Sequence, residues 1–138
     1  MESYHLYQDI KVAGLEVTTF PDGIKEAFDS LIKMLPAGEG RSCFGLSKMN
    51  DNGGIIYIAA IEQKENGELK KNHCKDYIIQ KGEYITRELT NWMDKLCSIK
   101  DIFTELIEDD RTDKTSYCIE WYKDDKHMTC MLKKIPGA

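Results

Sequence analysis

The chain lacks most of the features that announce a function directly. No segment approaches the ~18 uninterrupted apolar residues that a membrane helix requires. The opening residues Met1-Glu2-Ser3-Tyr4-His5 carry no basic region followed by an apolar run, so no secretory signal is read there. Basic residues form no stripe beyond Lys70-Lys71 and Lys133-Lys134, and the formal net charge is −5. Nucleic-acid binding needs concentrated positive charge, so direct contact with DNA or RNA is not expected. The five cysteines are odd in number and unpaired in spacing, with no CxxC, and the three histidines are scattered. Neither a disulfide framework nor a metal site follows, and reduced thiols point to the cytoplasm. Gly53-Gly54 has no phosphate-loop lysine, and there is no Gly-x-Ser-x-Gly elbow. No cofactor, metal or membrane partner is expected.

What is present is a repeat within one domain, residues 1–138. Ile24, Ala27, Phe28, Leu31, Ile32 and Leu35 form one apolar stripe at helical spacing, with Asp22 as N-cap and Pro36 and Gly38 as the stop. Ile99, Ile102, Phe103, Leu106 and Ile107 repeat that spacing, with Ser98 as cap and Asp101 three residues on. The helices align with a shift of 75 positions (Phe28 to Phe103), placing both phenylalanines in the core. The same shift lays Cys43 on Cys118 and Lys48 on Lys123. Each of these lies in a strand leading through a polar turn to another strand. The pairs are Cys43–Met49 with Ile55–Glu62, and Tyr117–Lys123 with Met128–Ile135. Upstream of each helix is a further strand containing a glycine. The apolar phase flips near Gly14, which predicts a bulge, and Gly82 takes the matching place. The second copy has seven extra residues, Thr90 to Leu96, suited to a short helical turn. A polar stretch from Lys64 to Lys71 joins the copies.

The predicted fold is therefore α+β, a tandem duplication of a β-α-β-β unit. Repeat one covers about 10–63 and repeat two about 74–136. Antiparallel sheet and two main helices leave a central cleft between the copies, a concave place of the kind ligands favour.

Glu120 is the leading candidate for chemistry. It lies in Tyr117-Cys118-Ile119-Glu120-Trp121-Tyr122, a strand apolar on both faces. A carboxylate there is either on a solvated face or turned into the cleft. If buried, it needs a cation or donors, or it takes up a proton. The matching residue of the first copy is Gly45, which would leave room for a ligand beside a single charge. Tyr57, Tyr84, Trp92, Trp121 and Tyr122 lie where a groove could be lined and would suit a flat cationic ligand. Cys118 and Cys130 are expected to face each other across the second hairpin as buried thiols.

Several stretches, in this order, resemble the GyrI-like family, the effector-binding domain also attached to AraC-type and multidrug-responsive regulators. They are Cys43-Phe44-Gly45-Leu46, Tyr57-Ile58-Ala59-Ala60-Ile61-Glu62, Gln80-Lys81-Gly82-Glu83-Tyr84, Ile99 to Leu106, and Ile119-Glu120-Trp121-Tyr122. The resemblance implies a cleft for small aromatic or cationic molecules with a glutamate deep inside it, mapping onto Glu120. Tyr84 and Trp92 match aromatic positions near that cleft. Residues before Ile10 are too few for a DNA-binding helix-turn-helix, so a stand-alone binding protein is expected. Some stand-alone relatives hydrolyse strained electrophiles with a cleft glutamate and a tyrosine, which makes a hydrolase using Glu120 with Tyr84 or Tyr122 an alternative. Inhibition of DNA gyrase through a protein contact is a third.

Overall fold

The computed structural model describes residues 2–19, 22–34, 41–64, 74–124 and 126–136. Eight strands and two helices follow in the order β1 (Glu2–Leu6), β2 (Ile10–Glu16), α1 (Ile24–Lys33), β3 (Cys43–Met49), β4 (Ile55–Glu62), β5 (Lys75–Ile79), β6 (Gly82–Thr90), a single-turn 3-10 helix (Trp92–Lys95), α2 (Leu96–Glu108), β7 (Cys118–Tyr122) and β8 (His127–Lys133). All strands join one curled antiparallel sheet in the order β1-β6-β8-β7-β3-β4-β2-β5. Exchanging the copies turns this order into its own reverse, so the duplication is a pseudo-twofold whose axis runs between β3 and β7. Among the described residues no helix is long and apolar enough to cross a membrane.

The edge strands β1 and β5 were not anticipated from sequence. Each pairs with the other copy: β1 with β6, and β5 with β2. This exchange of short strands ties the two halves into one sheet.

Each helix covers its own half. Leu31 anchors α1 over Ala13, Val17, Ala59 and Ile61, while Ile102, Phe103 and Leu106 anchor α2 over Ile85, Met128, Cys130 and Leu132. The opposite face of the sheet packs into a single core drawn from all eight strands, including Leu6, Val12, Phe44, Ile58, Ile79, Tyr84, Ile119 and Met131. A sheet that buries both faces needs apolar residues in both phases. That accounts for β2: Val12 enters the shared core while Ala13 and Val17 meet α1.

The register of β2 therefore runs unbroken through Gly14 against β4 and up to Gly14 against β5, and the expected bulge is absent. Gly14 is required for close packing instead, since a Cβ there would come 2.5 Å from Ile58 Cγ2 and 2.9 Å from Tyr77 Cε2. Gly82 does adopt a positive φ of 134°, at the start of β6. The registers place it level with Ile10, so the two glycines are not equivalent.

Two helix caps also differ from expectation. Gly23, with φ 90°, occupies the cap of α1 in place of Asp22, and no side chain caps the helix. The 3-10 turn runs directly into α2, which starts at Leu96, so Ser98 lies inside the helix. The turns follow sequence closely. Asn50 Oδ1 accepts hydrogen bonds from Asn52 and Gly54 N–H, and Asp124 Oδ1 accepts from Lys126 and His127 N–H. Leu35, Pro36, Gly38 and the expected Lys64–Lys71 joint lie outside the described residues, apart from Lys64 itself.

Candidate functional site

Between the two helix-covered halves lies the β3–β7 ladder, and at its centre Gly45 pairs with Glu120. The ladder pairs Cys43 with Tyr122 and Ser47 with Cys118, which the pseudo-twofold interchanges. Gly45–Glu120 is the one pair that maps onto itself. The ladder position on the axis thus holds a carboxylate on one strand and no side chain on the other.

Glu120 is 8% exposed. Its Oε1 accepts the hydroxyl of Tyr57 at 2.6 Å and that of Tyr122 at 2.7 Å. Among the described residues Oε2 accepts no hydrogen bond, and no lysine, arginine or histidine pairs with the carboxylate. Burial pushes the Glu120 carboxyl above its ordinary range, and the two phenol donors pull it part of the way back. Burial and then the neighbouring carboxylate push both phenols far up, so Tyr57 and Tyr122 stay protonated and donate.

The tyrosines come from different copies and break the symmetry. Tyr57 stands on β4 where the second copy has Met128, and Tyr122 stands on β7 where the first has Ser47. Tyr122 is held between two rings. Phe28 of α1 meets it edge-on at 5.7 Å, and Trp92 meets it at 4.9 Å while donating its indole N–H to the Asp124 carbonyl. The extra residues of the second copy thus deliver an aromatic wall. Phe28, expected as core, is only half-buried at the margin of the core under α1, with its ring edge-on to Tyr122, whereas Phe103 is buried. Nothing in the stripe distinguished the two, since both sit at the same helical phase.

Tyr84 and Trp121 are not part of this constellation. Strand parity places both on the opposite face. Tyr84 sits in the shared core and donates to the Gln80 carbonyl, and Trp121 packs on Phe44. Cys118 and Cys130 do not face each other. Cys130 lies opposite Glu120, with Cys118 offset on the same face. Burial first and the Glu120 charge second raise them to about 11 and about 12, so they are protonated, unreactive thiols. Two open pockets, one of about 190 Å³ at the ends of β6 and β8 and one of about 250 Å³ beside β1 and β6, are not lined by Glu120. Around Glu120 the aromatic rings close on one another.

The fold and site define a small α+β domain with a buried carboxylate on its pseudo-twofold axis. No family model matches the chain, and no curated protein matches it in sequence. Solved structures do. An integron cassette protein from the mobile metagenome of Vibrio cholerae superposes with a TM-score of 0.70 at 11% identity, over 97% of this chain and 95% of that one. A protein solved with tetraphenylphosphonium bound gives 0.63 at 14% identity, over 99% and 95%. A hydrolase from Listeria innocua gives 0.61 at 13% identity, over 97% and 90%. All three likenesses lie below 15% identity. At such identities they establish shared architecture.

Proposed function

We propose that the protein binds a small aromatic or delocalised organic cation against Glu120, between α1 and α2. The observation that carries this reading is a buried carboxylate with one oxygen held by two phenols and no cation among the described residues beside it. A buried anion without a counter-charge is costly, and a ligand that brings the charge removes that cost. Phe28, Trp92, Tyr57 and Tyr122 supply ring faces and edges for such a ligand. The rings must part to admit it. The fold likeness to a protein solved with a phosphonium cation agrees with this chemistry.

Titration calorimetry with tetraphenylphosphonium tests the reading. Glu120→Gln keeps the shape, removes the charge, and is expected to weaken binding roughly 10–100-fold, the range for losing a charge-assisted contact. Equal affinity in the variant would refute it.

A second reading uses the same group as a general base. Oε2 has no hydrogen-bond partner among the described residues and would take the proton of an attacking water, and either phenol, on turning its O–H away from Oε1, would donate to a leaving group. Tyr84 has no place in it, being on the other face. Product formation from an electrophilic ester or epoxide, lost in Glu120→Gln, separates this reading from binding alone.

A further inference from the structure

The Glu120 carboxyl has two unlike oxygens. Oε1 is filled by the Tyr57 and Tyr122 hydroxyls. Oε2 has no hydrogen-bond partner, yet it is not sealed in. The sealed, partnerless side-chain oxygens among the described residues are Gln63 Oε1 and Thr129 Oγ1, and Oε2 is not one of them. It therefore keeps a small accessible surface.

Among the described residues, no neighbouring element brings Glu120 a positive charge. On its face of the sheet β3 carries Gly45, Ser47 and Cys43, β4 carries Tyr57, β7 carries Cys118 and Tyr122, and β8 carries Cys130. The titratable groups of this set are neutral. Burial pushes the three thiols up, and burial followed by the nearby carboxylate pushes up the two phenols. β6 continues the cross-strand row with Arg87, but Cys130 stands between it and Glu120, and the exposed guanidinium pairs with Glu105 of α2. The charged residues of α1, Lys25, Glu26, Asp29 and Lys33, are exposed. So are Asp94 and Lys95 of the 3-10 turn, and Lys100, Asp101, Glu105 and Glu108 of α2. An ionised carboxyl buried among neutral groups is costly, and one so placed holds a proton where a counter-ion is missing. Its titration agrees in direction, since burial raises the carboxyl against the pull of the two phenols.

We propose that the site exchanges a proton for its ligand: an organic cation entering against Oε2 displaces the carboxyl proton into solvent. The inference rests on the cation-binding reading above and adds its regulation. In the empty protein the carboxyl O–H bond is intact. On binding it breaks, the proton passes to water or buffer, and the positive ligand balances the carboxylate left behind. Proton and ligand thus compete to neutralise one group. Below the folded carboxyl's titration point, affinity for a permanent cation falls up to about tenfold for each pH unit of acidification, so the protein lets its ligand go in acid.

Two measurements on the full chain test this. Infrared difference spectra at pH 6 between ligand-free wild type and Glu120→Gln should show a protonated-carboxyl carbonyl band that the variant lacks. Calorimetry with tetraphenylphosphonium, run in carboxylate or phosphate buffers against zwitterionic amine buffers, counts the protons released from the dependence of the heat on the buffer. At least about half a proton per cation is expected at pH 6, where an ordinary glutamate is almost wholly ionised and has none to give. Release should fade toward pH 9 while affinity rises and levels off. Residual binding in Glu120→Gln should release no proton and show no such pH dependence. Absence of the band, or binding whose heat at pH 6 is the same in both buffers, would overturn the exchange without touching the binding reading. A protein that shows the band yet binds no tetraphenylphosphonium at any pH would refute the binding reading, and the exchange would fall with it.

Discussion

Gly45 and Glu120 face each other across the β3–β7 ladder on the pseudo-twofold axis, and the missing side chain of one makes room for the carboxylate of the other. A Cβ at position 45 would collide with both Glu120 Oε1 and the Tyr57 hydroxyl, and would lie 2.9 Å from Tyr57 Cζ. Gly45→Ala is therefore expected to push the phenol off the carboxylate. Overpacking of this kind costs about 1–3 kcal/mol. Urea denaturation should show that loss, and calorimetry should show lost cation binding. A variant as stable as wild type would mean that the site relaxes freely.

The raised Glu120 carboxyl makes stability depend on pH in a defined sense. The folded state holds the proton more tightly than the unfolded chain, so the contribution is fully present below the unfolded value of about 4.5 and is lost as pH rises through the folded value. Glu120→Gln abolishes this loss. Melting temperatures measured from pH 4 to pH 9 should fall less steeply for the variant, which should be the more stable protein at the alkaline end. Parallel curves would show that the carboxyl is not held protonated by burial.

Tyr57→Phe and Tyr122→Phe each remove one donor to Oε1. The anion loses support and the carboxyl rises further, so the pH at which cation binding sets in should move upward in both variants. The affinity loss at neutral pH is expected to be about 10–100-fold, the equivalent of a hydrogen bond to a charged group. Tyr84→Phe is the control, because its hydroxyl serves the Gln80 carbonyl on the other face. Binding that responds to Tyr84 and ignores Tyr57 would reverse this assignment.

The end of α2 is sealed by Thr112, which is fully buried and donates its hydroxyl to the Leu106 carbonyl at 2.7 Å, with the Asp109 carbonyl at 2.8 Å. Carbonyls of a helix's last turn need such partners. Thr112→Val preserves shape and removes the hydroxyl, leaving the Leu106 carbonyl with the Asp109 N–H and the Asp109 carbonyl with the Thr112 N–H and Lys114 Nζ, at an expected cost of about 0.5–1.5 kcal/mol in chemical denaturation. Cation binding should persist, since Thr112 lies outside the Glu120 site.

Local periodicity and turn chemistry were enough to place much of the chain. The stripe from Ile24 produced α1, and the hairpin strands Cys43–Met49 and Ile55–Glu62 fall at the ends read from sequence. The shift of 75 holds across β3 and β7, and it singled out Gly45 and Glu120 as partners because a symmetry operation visible in sequence meets itself at that pair. Which side chains surround Glu120 was decided only by the tertiary structure. In a strand buried on both faces, alternation carries no mark of which phase meets the helix. Tyr84 and Trp121 therefore looked as eligible as Tyr57 and Tyr122, until the curl of the sheet assigned them to the shared core and its margin. Phe28 was hidden for the converse reason, since an aromatic on a helix stripe reads the same over a core as beside the Tyr122 ring. The exchanged edge strands escaped notice because five residues carry too little periodicity, and their place is set by pairing with the opposite copy. Short-range pattern determined the elements and their symmetry; long-range pairing and the burial of both sheet faces determined the site.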